Sequence, residues 1–212
     1  MRAQSSPSRR CLESSLLVLA GLFPPSQSWS NNSQLAQLWQ PIAVETTEKP
    51  RAWLLNSEAY CPAATNFEGN ITEIPSVKKF LSNHREFINK LEKYTGENLT
   101  SWYDVGYIWD TLFAEKEYFG NNFVKPKWLE LVGNDTWERL YQFNEMEIGV
   151  FDLSLPYQRL RTGLFLKQIL LNMNKTVSQT TITKENRQFY TYSSHDTFIS
   201  YVLQAFGFFH RK

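Results

Sequence analysis

The stretch "YTYSSHDTFISY", residues 190–201, decides how this chain is read. Tyr, Thr and Ser open it in the manner of a strand. His195 and Asp196 then stand side by side, and beyond them apolar residues return at helical spacing as far as Gly207. The pattern predicts a strand over 187–193 and a helix over 196–206. A strand that yields to a helix at its carboxyl end is where α/β proteins place their chemistry. The bland alternative is that Asp196 caps a helix and His195 is a loop residue. Only the rest of the chain can choose between the two.

Toward the N-terminus, Leu160, Leu164, Ile169, Leu170 and Met173 form a helical stripe. Three more helices are predicted before it. One carries Val77, Phe80, Leu81, His84, Ile88, Leu91 and Tyr94 and stops at Gly96. The next carries Trp102, Val105, Trp109, Leu112 and Phe113, and the third begins at a cap on Asp135 or Thr136 and runs through Trp137, Leu140, Tyr141, Phe143 and Ile148. These aromatic stripes read as helix-packing core rather than as a base-stacking surface. His84, inside a stripe, reads as a helix residue facing a neighbour. "LWQPIAVET", residues 38–46, reads as a strand with Pro41 near an edge or bend, and 45–75 as irregular. Leu12, Leu16, Leu19 and Phe23 predict an amphipathic helix over about 11–23, ended by Pro24-Pro25. The basic start and the short apolar run 16–23 share features with a secretion signal, but Glu13 and the prolines favour the helix. Residues 1–9 are polar and expected to be disordered. The order of elements predicts an α/β core interrupted by a mostly helical insertion at about 70–155.

Composition narrows the function classes. The chain has 212 residues, 42% of them hydrophobic, which is enough for a sizeable packed core. Its 22 basic and 21 acidic residues lie in no long block, so nothing points to a nucleic-acid partner. No run of about twenty apolar residues offers a membrane span. Cys11 and Cys61 leave one disulfide or two unrelated thiols equally open. No Cys or His pair has metal-ligand spacing, so no metal site is expected. Asn31, Asn70, Asn98, Asn134 and Asn174 each open an N-x-S/T sequon, more than the roughly two that chance would give, and lean toward a secretory route.

Several segments carry a family resemblance. "SSHDTFISYVLQAFG" resembles the His-Asp region of the histidine acid phosphatases, the branch that holds the prostatic and lysosomal acid phosphatases, with invertebrate secreted members nearest in pattern. "RRCLESSLLVLAGLFPP" is similar to that family's Asp-Arg-Thr/Cys-Leu-x-Ser helix, "LWQPIAVET" to its Trp-x-Pro-Ile-x-Val strand, and "RLRTGLFLKQILLNM" to the helix before its second catalytic strand. The pieces stand in the family's order over residues 8–207. The resemblance implies an α/β fold with a phosphoglycerate-mutase-like sheet core, incomplete at both ends, in a domain over residues 10–207. It implies hydrolysis of small phosphomonoesters through a phosphohistidine, without a cofactor. Asp196 would be the proton donor, His195 a phosphate-oxygen donor, and Arg10 the phosphate-binding arginine, where a bidentate guanidinium suits phosphate. It also implies a secreted or lysosomal location, although no convincing signal peptide is present, and a homodimer stays open for the full-length form.

Two departures from the family pattern shape the expectations. Arg9 stands where the family has Asp, and no Arg-His-Gly occurs, so the nucleophilic histidine is not expected in this chain. His210 belongs to a terminal "HRK" and does not supply it. Cys61 resembles a family half-cystine whose partner follows later, so a partial chain is expected, with Cys61 outside its family disulfide. The alternatives are a catalytically inactive phosphatase-like binding module, or a phytase or lysophosphatidic acid phosphatase activity in the full-length form.

Overall fold

The computed structural model describes residues 1–26, 38–56, 58–178 and 189–208. Three strands and eight α-helices occur among them. These are β1 (Arg2–Ser5), α1 (Arg9–Leu22), β2 (Val44–Thr46), α2 (Pro62–Gly69), α3 (Pro75–Thr95), α4 (Trp102–Phe119), α5 (Trp128–Val132), α6 (Thr136–Gly149), α7 (Leu155–Ser178), β3 (Tyr190–Ser193) and α8 (Asp196–Ala205). The chain divides into two compact units. One comprises Met1–Ala64 and the described residues from Leu155 onward; the other is Thr65–Ser154. The second unit is helical throughout its regular elements, and covers nearly the stretch read from sequence as the helical insertion.

The first unit is built on a parallel sheet in the order β2-β1-β3. Ala3 lies opposite Val44 and Thr191, and Ser5 opposite Thr46 and Ser193. Residues 1–9 are therefore not disordered, as expected from sequence, but supply the central strand. The expectation failed because β1 has no apolar alternation to show. Its buried positions are Ala3 and Ser5, small residues held by ladders on both sides. Arg2 adds an ion pair to Glu45 on β2, at 2.7 Å.

The strand expected over 38–46 shrinks to Val44–Thr46. With Ala3 opposite Val44, β1, which begins at Arg2, has no residue to face positions before 43. Pro41 also has no N–H to give a ladder, and Leu38 is 82% exposed. Residues 45–75 are less irregular than expected, since they hold two short 3₁₀ turns and α2. Of the strand expected over 187–193, residues 187 and 188 lie outside the described residues.

Buried faces differ from the apolar stripes in this unit. On α7 the stripe residues Leu160, Leu164, Leu170 and Met173 are exposed, while Tyr157, Arg161, Phe165 and Asn172 are buried. The hidden face is partly polar, and its polar side chains reach acceptors outside the helix. Arg161 Nη1 donates to the Ala59 carbonyl at 2.9 Å, and Asn172 Nδ2 donates to the Tyr192 hydroxyl at 2.7 Å. Phe165 meets Tyr192 and Phe198 edge-on, at 5.0 and 5.4 Å between ring centres. On α1 the buried residues are Cys11, Ser15 and Leu19, one turn apart. Among the described residues no helix is long and apolar enough to cross a membrane.

The helical unit packs around Phe143, Leu140, Val105, Val77, Leu91 and Phe87. Helix α3 starts with Pro75 in its first turn and ends at Gly96, whose φ of 76° is the left-handed cap a glycine adopts without strain. Helix α4 opens with a reciprocal capping box: Asp104 N–H donates to Ser101 Oγ, and Ser101 N–H donates to Asp104 Oδ2 at 2.7 Å. Asp135 does precede α6, but its side chain makes no cap bond and instead pairs with Arg139 at 2.7 Å.

Candidate active site

The carboxyl edge of the sheet gathers the candidate residues. Past the ends of β1 and β3 the ladder continues one step, as the Ser6 N–H donates to the Ser193 carbonyl at 2.9 Å. From there Pro7 and Ser8 lead into α1, and Ser194 and His195 lead into α8. Two helices thus begin beside one another at the end of adjacent parallel strands, the arrangement that makes strand ends useful for binding anions.

His195 sits between the two loops. Its Nε2 is 2.9 Å from Ser6 Oγ, and its Nδ1 is 3.3 Å from Arg10 Nη2. A guanidinium only donates, so Nδ1 accepts and Nε2 carries the proton toward Ser6. Cys11 Sγ lies 3.9 Å from both ring nitrogens and donates to the Ser194 carbonyl at 3.3 Å. Ser193 Oγ donates to the Cys11 carbonyl, and Ser194 Oγ to the Leu55 carbonyl. Three consecutive residues, 193–195, are thereby tied to α1 or to the turn at Leu55. Asp196 occupies the first position of α8 with an exposed side chain, its Oδ1 accepting from the Thr197 N–H at 2.8 Å. Arg9, the neighbour of Arg10, turns away to Glu13 at 2.7 Å.

So His195 and Arg10 come together although they are far apart in sequence, and Asp196 is the next residue after His195. The outcome is otherwise for the remaining histidines. His84 lies in the helical unit, donating from Nδ1 to the Phe80 carbonyl at 2.8 Å, with Nε2 2.9 Å from Gln142 Oε1. It packs against the Phe80 and Phe143 rings. His210 and Asn31 fall outside the described residues, while Asn70, Asn98, Asn134 and Asn174 are exposed. Both cysteines are free. Among the described residues no three His, Cys, Asp or Glu side chains stand close enough to hold a metal ion.

With this edge defined, comparison with known proteins decides the lineage: a model of the histidine phosphatase superfamily (branch 2) matches residues 1–212. The chain belongs to the histidine phosphatase superfamily. It is 33% identical to "Putative acid phosphatase 5" of Caenorhabditis elegans, over 98% of this chain and 46% of that protein. It is 30% identical to "Venom acid phosphatase Acph-1" of Apis mellifera, over 89% of this chain and 46% of that protein. It is 24% identical to "Lysosomal acid phosphatase" of Xenopus laevis, over 96% and 45%. The chain thus spans somewhat less than half the length of each.

Sequence reasoning missed two members of this histidine phosphatase edge, Ser6 and Cys11. Both depend on β1, which was read as disordered. Once residues 2–5 are a strand, Ser6 is a strand-end residue and Cys11 faces the sheet from the first turn of α1. A strand-to-helix boundary marked by Pro7 and Ser8 was the available signal.

Proposed function

We propose that this chain forms the His-Asp half of an acid phosphatase acting on phosphomonoesters. The supporting observation is the clustering of Arg10 and His195, 3.3 Å apart, beside the exposed Asp196 at one sheet edge. A phosphoryl group in transit spreads charge over its equatorial oxygens, so a guanidinium fork and an imidazole N–H lower the barrier. A phosphate oxygen entering between Arg10 and His195 would replace their direct contact with a charge-assisted hydrogen bond from the Arg10 guanidinium.

The chemistry then divides into two displacements. The nucleophilic histidine belongs to the family's Arg-His-Gly motif, which does not occur in residues 1–212; it acts from outside them. Its ring nitrogen forms a bond to phosphorus while the ester P–O bond breaks, and Asp196 gives its carboxyl proton to the departing oxygen. Water then attacks the phosphohistidine, passing a proton back to Asp196 as the P–N bond breaks and phosphate leaves. The working domain takes in β1 as well as residues 10–207, since β1 is the central strand of the sheet. The names of the bee and frog relatives, together with the exposed sequons, support a secreted or lysosomal setting.

The test uses the complete protein carrying Asp196→Asn. Turnover of alkyl phosphates should fall by roughly 10²–10⁴-fold, the usual worth of a positioned acid. Aryl phosphates should lose far less, because a phenolate leaves without much protonation. Equal losses for both classes would remove Asp196 from the acid role.

A further inference from the structure

In the helical unit, the link between α3 and α4 borders a groove of about 490 Å³. Asn98 stands in its wall, with Tyr107 and Thr111 from α4 and Trp128 at the start of α5. Tyr107 is 61% exposed. The groove also carries Glu97, Asp104 and Glu115, and none of its lining residues is Lys or Arg. That charge excludes an anionic ligand such as a phosphoester and suits a neutral polyhydroxyl one, whose O–H groups donate to carboxylates. An exposed tyrosine ring beside polar groups offers a flat apolar surface with a polar tip, the mixture a sugar ring requires.

Asn98 is itself the acceptor residue of the sequon Asn98-Leu99-Thr100. Its flanks are fixed: the Leu99 N–H donates to Glu92 Oε1 at 3.1 Å, and Thr100 Oγ1 donates to Asp104 Oδ2 at 3.2 Å. Any group attached at Asn98 is therefore rooted on a held segment at the groove's wall. Asn70 differs, because its amide nitrogen already donates to the Asn66 carbonyl at 2.7 Å.

We propose that Asn98 carries an N-linked oligosaccharide whose first sugars lie in this groove against Tyr107, making the glycan a packed part of the helical unit. The inference rests on the secretory setting proposed above. The complete protein is produced in a secretory host, its glycopeptides are mapped by mass, and the native protein is digested with an endoglycosidase that cuts between the first two core sugars. Asn98 should be occupied, and its glycan should be cut roughly tenfold more slowly than in Tyr107→Ala, as expected if the ring contact is worth about one decade in an opening equilibrium. Tyr107 is exposed and alanine favours helix, so the variant keeps α4; Thr111→Ala on the same wall provides a second, smaller release. An unmodified Asn98 beside occupied Asn70 or Asn134 overturns the proposal alone. Secreted protein bare at every sequon overturns the secretory setting with it. Equal cleavage in parent and variants, fast or slow, shows that the glycan does not lie on Tyr107.

Discussion

Ser6 is the residue on which the candidate site turns without touching any reacting atom in the proposed mechanism. It is 2% exposed, and its hydroxyl stands 2.9 Å from the His195 Nε2. Ser6→Ala should leave that ring N–H without a partner and cost about 1–3 kcal/mol of stability, measured by denaturant unfolding. It should also weaken phosphate competition more than it slows turnover, because the ring loses the contact that anchors it while Asp196 is untouched. A change in kcat alone, with phosphate affinity preserved, would argue that Ser6 does not position His195. Arg10→Lys is the companion test. Lysine keeps the charge but not the planar fork, so phosphate affinity should fall nearly as far as in Arg10→Ala. The His195-Asp196 pair was legible at this scale because strand-like and helix-like residues flank it. Ser6 was not, since nothing apolar marks β1.

At the scale of elements, caps and buried faces carry the testable content. Burial raises the Asp104 carboxyl, but hydrogen bonds from the Ser101 backbone and side chain and from Thr100 outweigh it and hold the group below its ordinary value. A carboxylate with a depressed folded-state value stabilises above the unfolded value of about 3.9, and loses that stabilisation as pH falls through the folded one. Asp104→Asn should therefore lower the melting temperature at neutral pH and converge with the parent as pH drops below about 4. Ser101→Ala should cost about 1 kcal/mol at neutral pH and less as pH falls below about 4, because the Ser101 hydroxyl is one of the groups that favour the ionised Asp104. In α7 the weak point is Arg161, 8% exposed and bonded to the Ala59 carbonyl. Arg161→Leu should cost about 1.5–3 kcal/mol, the worth of a hydrogen bond to a charged donor, despite raising the helix's apolar content. A neutral or stabilising result by calorimetry would mean that the hydropathic stripe, not the polar face, directs the helix inward. The short α2 lay in a stretch read as irregular and α5 was not predicted, whereas the long helices were legible, because caps and 3.6-residue spacing are local. Their inward faces were not, since burial of Arg161 and Asn172 depends on acceptors that only folding brings near.

For the whole molecule, the two units predict separable behaviour. Residues 65–154 hold their own core around Phe143 and contain no strand, so this segment alone should show helical circular dichroism and a cooperative melt. Loss of that melt would show that its core needs the remainder of the chain. If the proposed mechanism holds, residues 1–212 alone should not turn over an aryl phosphate, since Arg10 and Asp196 would not replace covalent attack; removing a nucleophile cost on the order of 10⁶ in one protease. The exposed apolar faces of α1 and α7, with Leu17 at 74%, should also make this piece associate. Turnover near the common enzyme range of ~10 per second would show that another group attacks phosphorus. The sequence by itself determined what is local: the long helices and their stops, the switch from helices back to a strand at β3, and the His-Asp pair with its family pattern. Tertiary structure alone decided that Arg2–Ser5 is the central strand, that Val44–Thr46 is all that pairs beside it, and that Ser6, Arg10 and Cys11 surround His195. The physical reason is that a parallel strand is defined by distant partners. Its backbone donors and acceptors are satisfied only across the ladder, so four residues with one apolar side chain, Ala3, become a strand when β2 and β3 arrive on either side.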